Sequence, residues 1–322
     1  MAASVCKDVE APRDWWFVQM ADSQLGLLNA ESDDWSQEVE CLELAVNKVN
    51  AFRPRPKFCV VCGDLTNEFP TGSAERGRKQ VADFKRCVAR IDAAIPLVCV
   101  CGNHDVGDLP TRESIQLYRS RFGPDYGAFK VGESKCLVVN SQLYSLKANG
   151  DSRFADAQDA WLRREIAEDD ALIVLKHIPP FIVDPDEPEG YFNLPPAIRR
   201  DFLDLFRNKK VTIFCGHFHR NAGGSRGNVE VVVTSAVGTT LPWKGTTDDG
   251  TDLSVEARIG LGGFNFDRRA CDPASSGFRL VHVSRDVVRH KWFALADVPD
   301  GDLTPATVFL DDDEKGGGND DA

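Results

Sequence analysis

The chain has 322 residues, enough for one large core or two modest ones, and a formal net charge of −12. That charge argues against a nucleic acid or an anionic membrane as the main partner. No apolar run approaches the roughly 18 residues a membrane span needs, and Met1–Asp8 lacks the charged-then-apolar pattern of a signal segment.

An apolar fraction of 42% is ordinary for a globular protein. Most of the ten cysteines lie inside apolar strands, as Cys59, Cys62, Cys99, Cys101, Cys136 and Cys215 do. There they behave as small hydrophobes. The expectation is a reducing, cytoplasmic setting with no disulfide framework.

Residues 1–14 are expected to be a flexible arm. Trp16–Ala21 reads as a strand that ends in Asp22. Apolar residues at Trp35, Val39, Leu42, Val46 and Val49 predict an amphipathic helix over 33–50, capped by Asp33 or Asp34. Phe58–Cys62 is a short apolar run bounded by Gly63, the pattern of a strand buried on both faces. Val81, Phe84, Val88 and Ile91 mark a second helix, and Leu97–Cys101 a third strand. The opening third is therefore β-α-β-α-β, with parallel strands and right-handed crossovers.

Thr111–Phe122 reads as a short helix, residues 128–131 and 135–140 as a hairpin, and Asp156–Ala167 as a helix. Ala171–Lys176 is the next strand. An acidic, proline-rich loop (184–196), a helix (198–206) and the strand Val211–Cys215 follow. Strands are expected over 229–234, 278–283 and 287–294. The Gly-, Asp- and Thr-rich stretch 241–276 reads as a long insertion in a single domain spanning 15–298, and 299–322 as an acidic disordered tail.

Five of these strands end in metal-type side chains: Asp22; Gly63-Asp64; Gly102-Asn103-His104-Asp105; His177; and Gly216-His217-Phe218-His219. Four of the six histidines fall at these ends. The carboxyl edge of an open α/β sheet is where ligands bind. Any one block has a plain explanation: Gly63-Asp64 alone is as well read as a turn cap. All five together point to one metal site. Oxygen donors mixed with imidazoles, without thiolates, suit Mn²⁺, Mg²⁺, Fe or Zn²⁺. Asp64 is the expected bridging carboxylate. Two ions roughly 3.5–4 Å apart can clamp both oxygens of a phosphate ester under attack. His104, next to Asn103, is then placed to protonate the leaving oxygen as general acid. Arg220, directly after His219, could clamp a phosphate bidentately. Cys59-Val60-Val61-Cys62 matches a redox motif but lies inside a strand, and His282 and His290 read as packing or surface residues.

These five blocks, in this order, resemble those of the calcineurin-like metallophosphoesterase superfamily. Ala21–Leu27, Asn140-Ser141-Gln142, Tyr191–Leu194 and Gly216–Gly224 further resemble a group of serine/threonine-protein phosphatases within it. The resemblance covers residues 16–240 well and 278–294 loosely. It implies a four-layer α/β/β/α sandwich of two mixed sheets, with the metal site at the carboxyl ends of strands. It implies one divalent ion on Asp22, Asp64 and His219, and a second on Asp64, Asn103, His177 and His217. Asn103, His104, Arg220 and Asn67 would meet the substrate. Asn67 stands where relatives often carry an Asp that orients the acid histidine. The superfamily's first block is usually Asp-x-His, and here position 24 is Gln. Its neutral carbonyl oxygen is a weaker donor, which implies a weaker first site favouring Mg²⁺ or Mn²⁺. The implied activity is hydrolysis of phosphomonoesters on a phosphorylated protein or a small molecule, by a monomer favoured over larger assemblies. A phosphodiesterase acting on a nucleotide or lipid headgroup, or a catalytically weak metal-binding scaffold, are the alternatives.

Overall fold

The computed structural model describes residues 7–166, 171–241, 268–285 and 287–313. Two sheets face each other. The first holds β1 (Asp14–Met20), β2 (Cys59–Cys62), β3 (Leu97–Val100), β10 (Gly277–Ser284) and β11 (Val287–Ala294), in the order β11-β10-β1-β2-β3. β1, β2 and β3 are parallel, with α1 (Ser36–Ala51) and α2 (Ala74–Val88) as crossovers, and β10 returns antiparallel to β1. Short α3 (Asn103–Val106) and α4 (Arg112–Phe122) lead into the second sheet.

That sheet holds β4 (Gly127–Val131), β5 (Ser134–Val139), β6 (Ala171–Lys176), β7 (Lys210–Cys215), β8 (Ala222–Arg226) and β9 (Val229–Val233), ordered β4-β5-β6-β7-β9-β8. β5, β6, β7 and β9 are parallel, and the two edge strands are antiparallel to their neighbours. α5 (Gln142–Ala148), α6 (Arg153–Ile166) and α7 (Pro196–Asp204) pack outside it.

Strand alternation sorts the side chains into three cores. In β1, Trp16, Val18 and Met20 join α1 and α2, while Trp15 and Phe17 turn inward. Phe17, Phe58, Val60 and Cys62 from the first sheet meet Phe129, Val138, Leu175 and Phe214 from the second. Phe17 stacks on Phe58 at 4.6 Å between ring centres and meets Phe214 edge-on at 5.4 Å. Leu137, Val139, Leu172 and Val174 point the other way, onto α5–α7. The result is the expected four-layer α/β/β/α sandwich. Strands buried on both faces explain why their sequences are continuous apolar runs. Cys59 and Cys62 point to opposite faces of β2, so the redox motif is a coincidence of strand composition.

Several details differ from expectation. Within the stretch read as an arm, Val9 donates to Lys130 O and accepts from Gly132 N, so this part lies along β4. Within the stretch read as a tail, Pro305–Asp313 forms a final helix, α8, and Leu303, Val308 and Phe309 enter the core beside Trp16. Three apolar residues outweigh the acidic composition around them. β8 and α5 were not expected. Residues 242–267 of the insertion lie outside the described residues, but its ends are tied: Thr240 N and Oγ1 both donate to Ala270 O. Among the described residues no helix is long and apolar enough to cross a membrane.

Candidate metal centre

Asp22, Asp64 and Asn103 follow the carboxyl ends of the three adjacent parallel strands of the first sheet, while His177, His217 and His219 follow β6 and β7 of the second. Parallel strands put these ends on one edge of the sandwich, so residues far apart in sequence converge. The chain must turn sharply there. Asp22, Gln24, Asp64, His217 and His219 all have positive φ, between 32° and 70°. Such backbones strain non-glycine residues and cluster at functional sites. Glycines make room for the turn. A Cβ on Gly63 would overlap the His177 ring, and one on Gly102 would overlap Asp64.

Backbone amides fix the carboxylates. Asp22 accepts from His217 N at 3.0 and 3.1 Å, and Asp64 Oδ1 from His104 N at 2.9 Å. Asp105, which closes the third strand-end block but was given no role of its own, accepts from Gly102 N at 2.7 Å and from Leu65 N at 3.2 and 3.3 Å, pinning the two loops that carry Asn103 and Asp64. The block names the residue, but its contacts to two backbone amides leave no mark in the motif.

Each imidazole faces a backbone carbonyl through one nitrogen, which fixes the tautomer and leaves the other nitrogen as donor to a metal. His177 Nδ1 lies 2.9 Å from Cys62 O, so Nε2 is the free nitrogen, 3.3 Å from Asp64 Oδ2 and 3.0 Å from Asn103 Oδ1. His219 Nδ1 meets Thr239 O at 2.6 Å, which leaves Nε2 3.5 Å from Asp22 Oδ1. His217 is reversed: Nε2 meets Tyr191 O at 3.1 Å, leaving Nδ1. The Asn103 amide is oriented by Asp108 Oδ1, which takes Nδ2 at 3.0 Å and so turns Oδ1 toward His177.

Two groups emerge whose ligand atoms lie within 4.8 Å of one another and could hold a metal ion: Asp64, His177 and His217; and Asp22, Asp64 and His219. Asp64 belongs to both. The electrostatics ask for a cation. Burial drives the Asp22 carboxyl well above its ordinary value. Burial acts on Asp64 as well, but the charges of His177 and His104 outweigh it and hold Asp64 below the usual range. Burial opposes charge on His177, and Asp64 with Asp22 overrides it to about 9. Burial and the neighbouring His177 take His217 down to about 3, and burial takes His219 to about 4. The chemistry of the donors thus fits divalent metal, as does one orphan atom. Gln24 Nε2 donates to Asn67 Oδ1 at 3.1 Å, while its buried Oε1 accepts no hydrogen bond among the described residues.

His104 stands at the mouth. Its Nδ1 lies 2.6 Å from the backbone oxygen of Asn67, and its Nε2 is 4.0 Å from Asp64 Oδ2. Phe69 packs against the ring at 4.1 Å between centres. Asn67 therefore meets the histidine through its main chain, not through the side chain expected to orient it, which is engaged by Gln24. Arg220, the expected phosphate clamp, is not among the residues lining the metal cleft. It is buried, its Nε donates to Leu241 O at 3.3 Å, its guanidinium lies 5.5 Å over Phe218, and it lines a neighbouring cavity. The metal cleft itself encloses about 190 Å³ and is lined by Gln24, Asp64, Asn103, His104, His217 and His219, with Leu27, Tyr191, Phe192 and Leu241.

A fold of two mixed sheets with this cluster on one edge defines a metal-dependent phosphoesterase, and the chain belongs to the calcineurin-like phosphoesterase family, whose model matches residues 16–221. Family members use divalent metals. The chain is 35% identical over 311 residues to the mouse (Mus musculus) serine/threonine-protein phosphatase CPPED1, covering 91% of this chain and 89% of that one. To the rat (Rattus norvegicus) CPPED1 it is 41% identical over 251 residues, covering 72% and 79%. Among solved structures it resembles the yellow lupin (Lupinus luteus) purple acid phosphatase PPD1, with a TM-score of 0.59 at 14% identity. The match covers 92% of this chain and 56% of the lupin chain, and supports the fold alone.

Proposed function

We propose that this protein is a metal-dependent phosphomonoesterase of the protein serine/threonine phosphatase type, a single-domain, cytoplasmic enzyme that removes phosphate from phosphorylated proteins. The observation that carries the proposal is the pair of donor groups sharing Asp64. Two ions bound there would neutralise a phosphate's charge and supply hydroxide near neutral pH. Asp22, Asp64 and His219, with Gln24 Oε1, would hold one; Asp64, Asn103, His177 and His217 the other. Carboxylate and amide oxygens beside only a few imidazoles favour Mg²⁺ or Mn²⁺ over softer ions.

The chain's own groups do the remaining work. The Asn67 carbonyl faces His104 Nδ1 at 2.6 Å, which orients the ring and leaves Nε2 on the side of Asp64. As the bond between phosphorus and the seryl or threonyl oxygen breaks, His104 Nε2 gives that oxygen a proton. Phe69 holds the ring in place against the wall. The net negative surface disfavours a polynucleotide substrate, and the nine described cysteines, all free and buried, agree with a reducing compartment.

The test is hydrolysis of an aryl phosphomonoester, the matching diester and a phosphoserine peptide, with Mn²⁺, Mg²⁺ or chelator. Metal-dependent turnover of the monoester and the peptide is expected. Preference for the diester would replace this proposal with a phosphodiesterase, and metal binding without turnover would leave a scaffold.

A further inference from the structure

The loop between β6 and α7 closes one side of the metal cleft and is built rigidly. Glu187 accepts from the backbone N–H groups of Ile182, Val183 and Asp184 at 2.7, 3.0 and 3.1 Å, and from Asn193 Nδ2 at 2.6 Å. The buried Arg199 donates to the carbonyls of Pro185, Glu187 and Leu194. This frame presents Tyr191. Its carbonyl holds His217, and its ring lies 5.1 Å from the His217 ring. Yet Tyr191 is 46% exposed, where most large apolar side chains of this fold are buried. It is a shared wall of the metal cleft and of two flanking cavities of about 360 and 590 Å³.

The position of its hydroxyl is informative. Asn103 Nδ2 has two protons. One goes to Asp108 Oδ1 at 3.0 Å and the other to Tyr191 Oη at 3.2 Å. The phenol oxygen is thus an acceptor toward Asn103, and no acceptor for its own proton is within hydrogen-bond distance among the described residues. A phenol hydroxyl carries one O–H donor beside its acceptor lone pairs, so with Asn103 on the acceptor side the proton is left to donate. A phosphate monoester dianion offers the opposite: oxygens that only accept. Tyr191 lines the same cleft as Asp64, Asn103, His104, His217 and His219, so a phosphate held there has this hydroxyl on its wall.

We propose that Tyr191 is a substrate-binding residue, its hydroxyl donating to a non-bridging oxygen of the phosphate. The inference rests on the phosphatase proposal for the site but adds a contact that none of the five strand-end blocks supplies. It gives the loop a purpose beyond packing: Asn103 sets the hydroxyl's orientation, and the loop frame sets its distance.

The experiment compares Mn²⁺-loaded wild-type protein with Tyr191→Phe, which keeps the ring and deletes only the hydroxyl. Inorganic phosphate is titrated by calorimetry, and metal content is measured on the same samples. Phosphate binding about tenfold weaker in Tyr191→Phe, at unchanged metal content, is expected for a lost hydrogen bond to a charged group. With the aryl phosphomonoester, the same change should raise KM more than it lowers kcat. Equal phosphate affinity in the two proteins would overturn the proposal and leave Tyr191 a packing residue. Loss of metal together with phosphate would also overturn it, showing that the hydroxyl acts only by holding Asn103. Failure of the wild type to bind phosphate would do the same. Phosphate binding without turnover in the wild type would overturn the phosphatase proposal instead, while the comparison of the two affinities still decides the role of Tyr191.

Discussion

The two sheets bring different chemistry to the same edge. The first supplies oxygen: Asp22, Asp64 and the Asn103 amide, from three adjacent parallel strands. The second supplies nitrogen: His177, His217 and His219, from two. Neither candidate metal group is complete within one sheet: one combines Asp64 of the first with His177 and His217 of the second, the other Asp22 and Asp64 of the first with His219 of the second. The site is therefore a product of sheet docking. The carboxylates repel one another: burial, with the charges of Asp64 and Asp105 adding to it, raises Asp22 well above its ordinary value. Opposed imidazoles, and then cations, make their assembly tolerable.

The contrast can be broken first at its shared member. Asp64→Asn should remove the bridge, and metal affinity should fall by more than the roughly 100-fold that loss of an outer hydrogen-bond partner costs. Elemental analysis and loss of hydrolysis would both report it; retained metal at both positions would refute the shared role. His104→Ala lies outside the two groups. It should leave metal content intact while lowering hydrolysis about 10²–10⁴-fold, least for a nitrophenyl ester, whose leaving oxygen needs no proton. An equal loss for alkyl and nitrophenyl esters would refute a general acid.

Docking itself can be loosened without touching a ligand. Phe214→Ala deletes a ring that Phe17 meets edge-on between the sheets and should cost about 3–5 kcal/mol of stability, read by denaturant unfolding. Metal affinity should fall with it, because the imidazoles ride on the sheet that moves; unchanged affinity would show that the two halves hold their geometry independently. The smallest effect is expected at Gln24→His, which adds an imidazole to the oxygen-bearing side. Binding should tighten, and more for Zn²⁺ than for Mg²⁺. Identical calorimetric affinities would show that the Gln24 carbonyl does not bind metal.

The strand tips were legible because each donor ends a short apolar run, and a run buried on both faces leaves its last residue at the sheet's edge. The sandwich followed from the resemblance those tips carry, and the parallel opening from the spacing of two helical patterns. What escaped has a physical reason in each case. Asp105 acts on backbone amides, which leave no trace in side-chain spacing. Asn67 contributes its carbonyl, which every residue has. Arg220 follows a metal-type histidine in sequence, but the left-handed turn at His219 sends its side chain over Phe218. β8 contains Gly223 and Gly224, residues poor in strand propensity, and is held by pairing with β9. In α8, Val308 and Phe309 stand among acids that dominate composition but not packing.

Of six non-glycine residues with positive φ among the described ones, five are Asp22, Gln24, Asp64, His217 and His219. Each such backbone costs about 1–3 kcal/mol, and glycine would relieve it. A lineage released from the need to hydrolyse phosphate would gain stability by mutating these very positions. Glycine or asparagine at two or more of them in a descendant that keeps the apolar strands would mark a pseudoenzyme, legible from its genome before any assay is run.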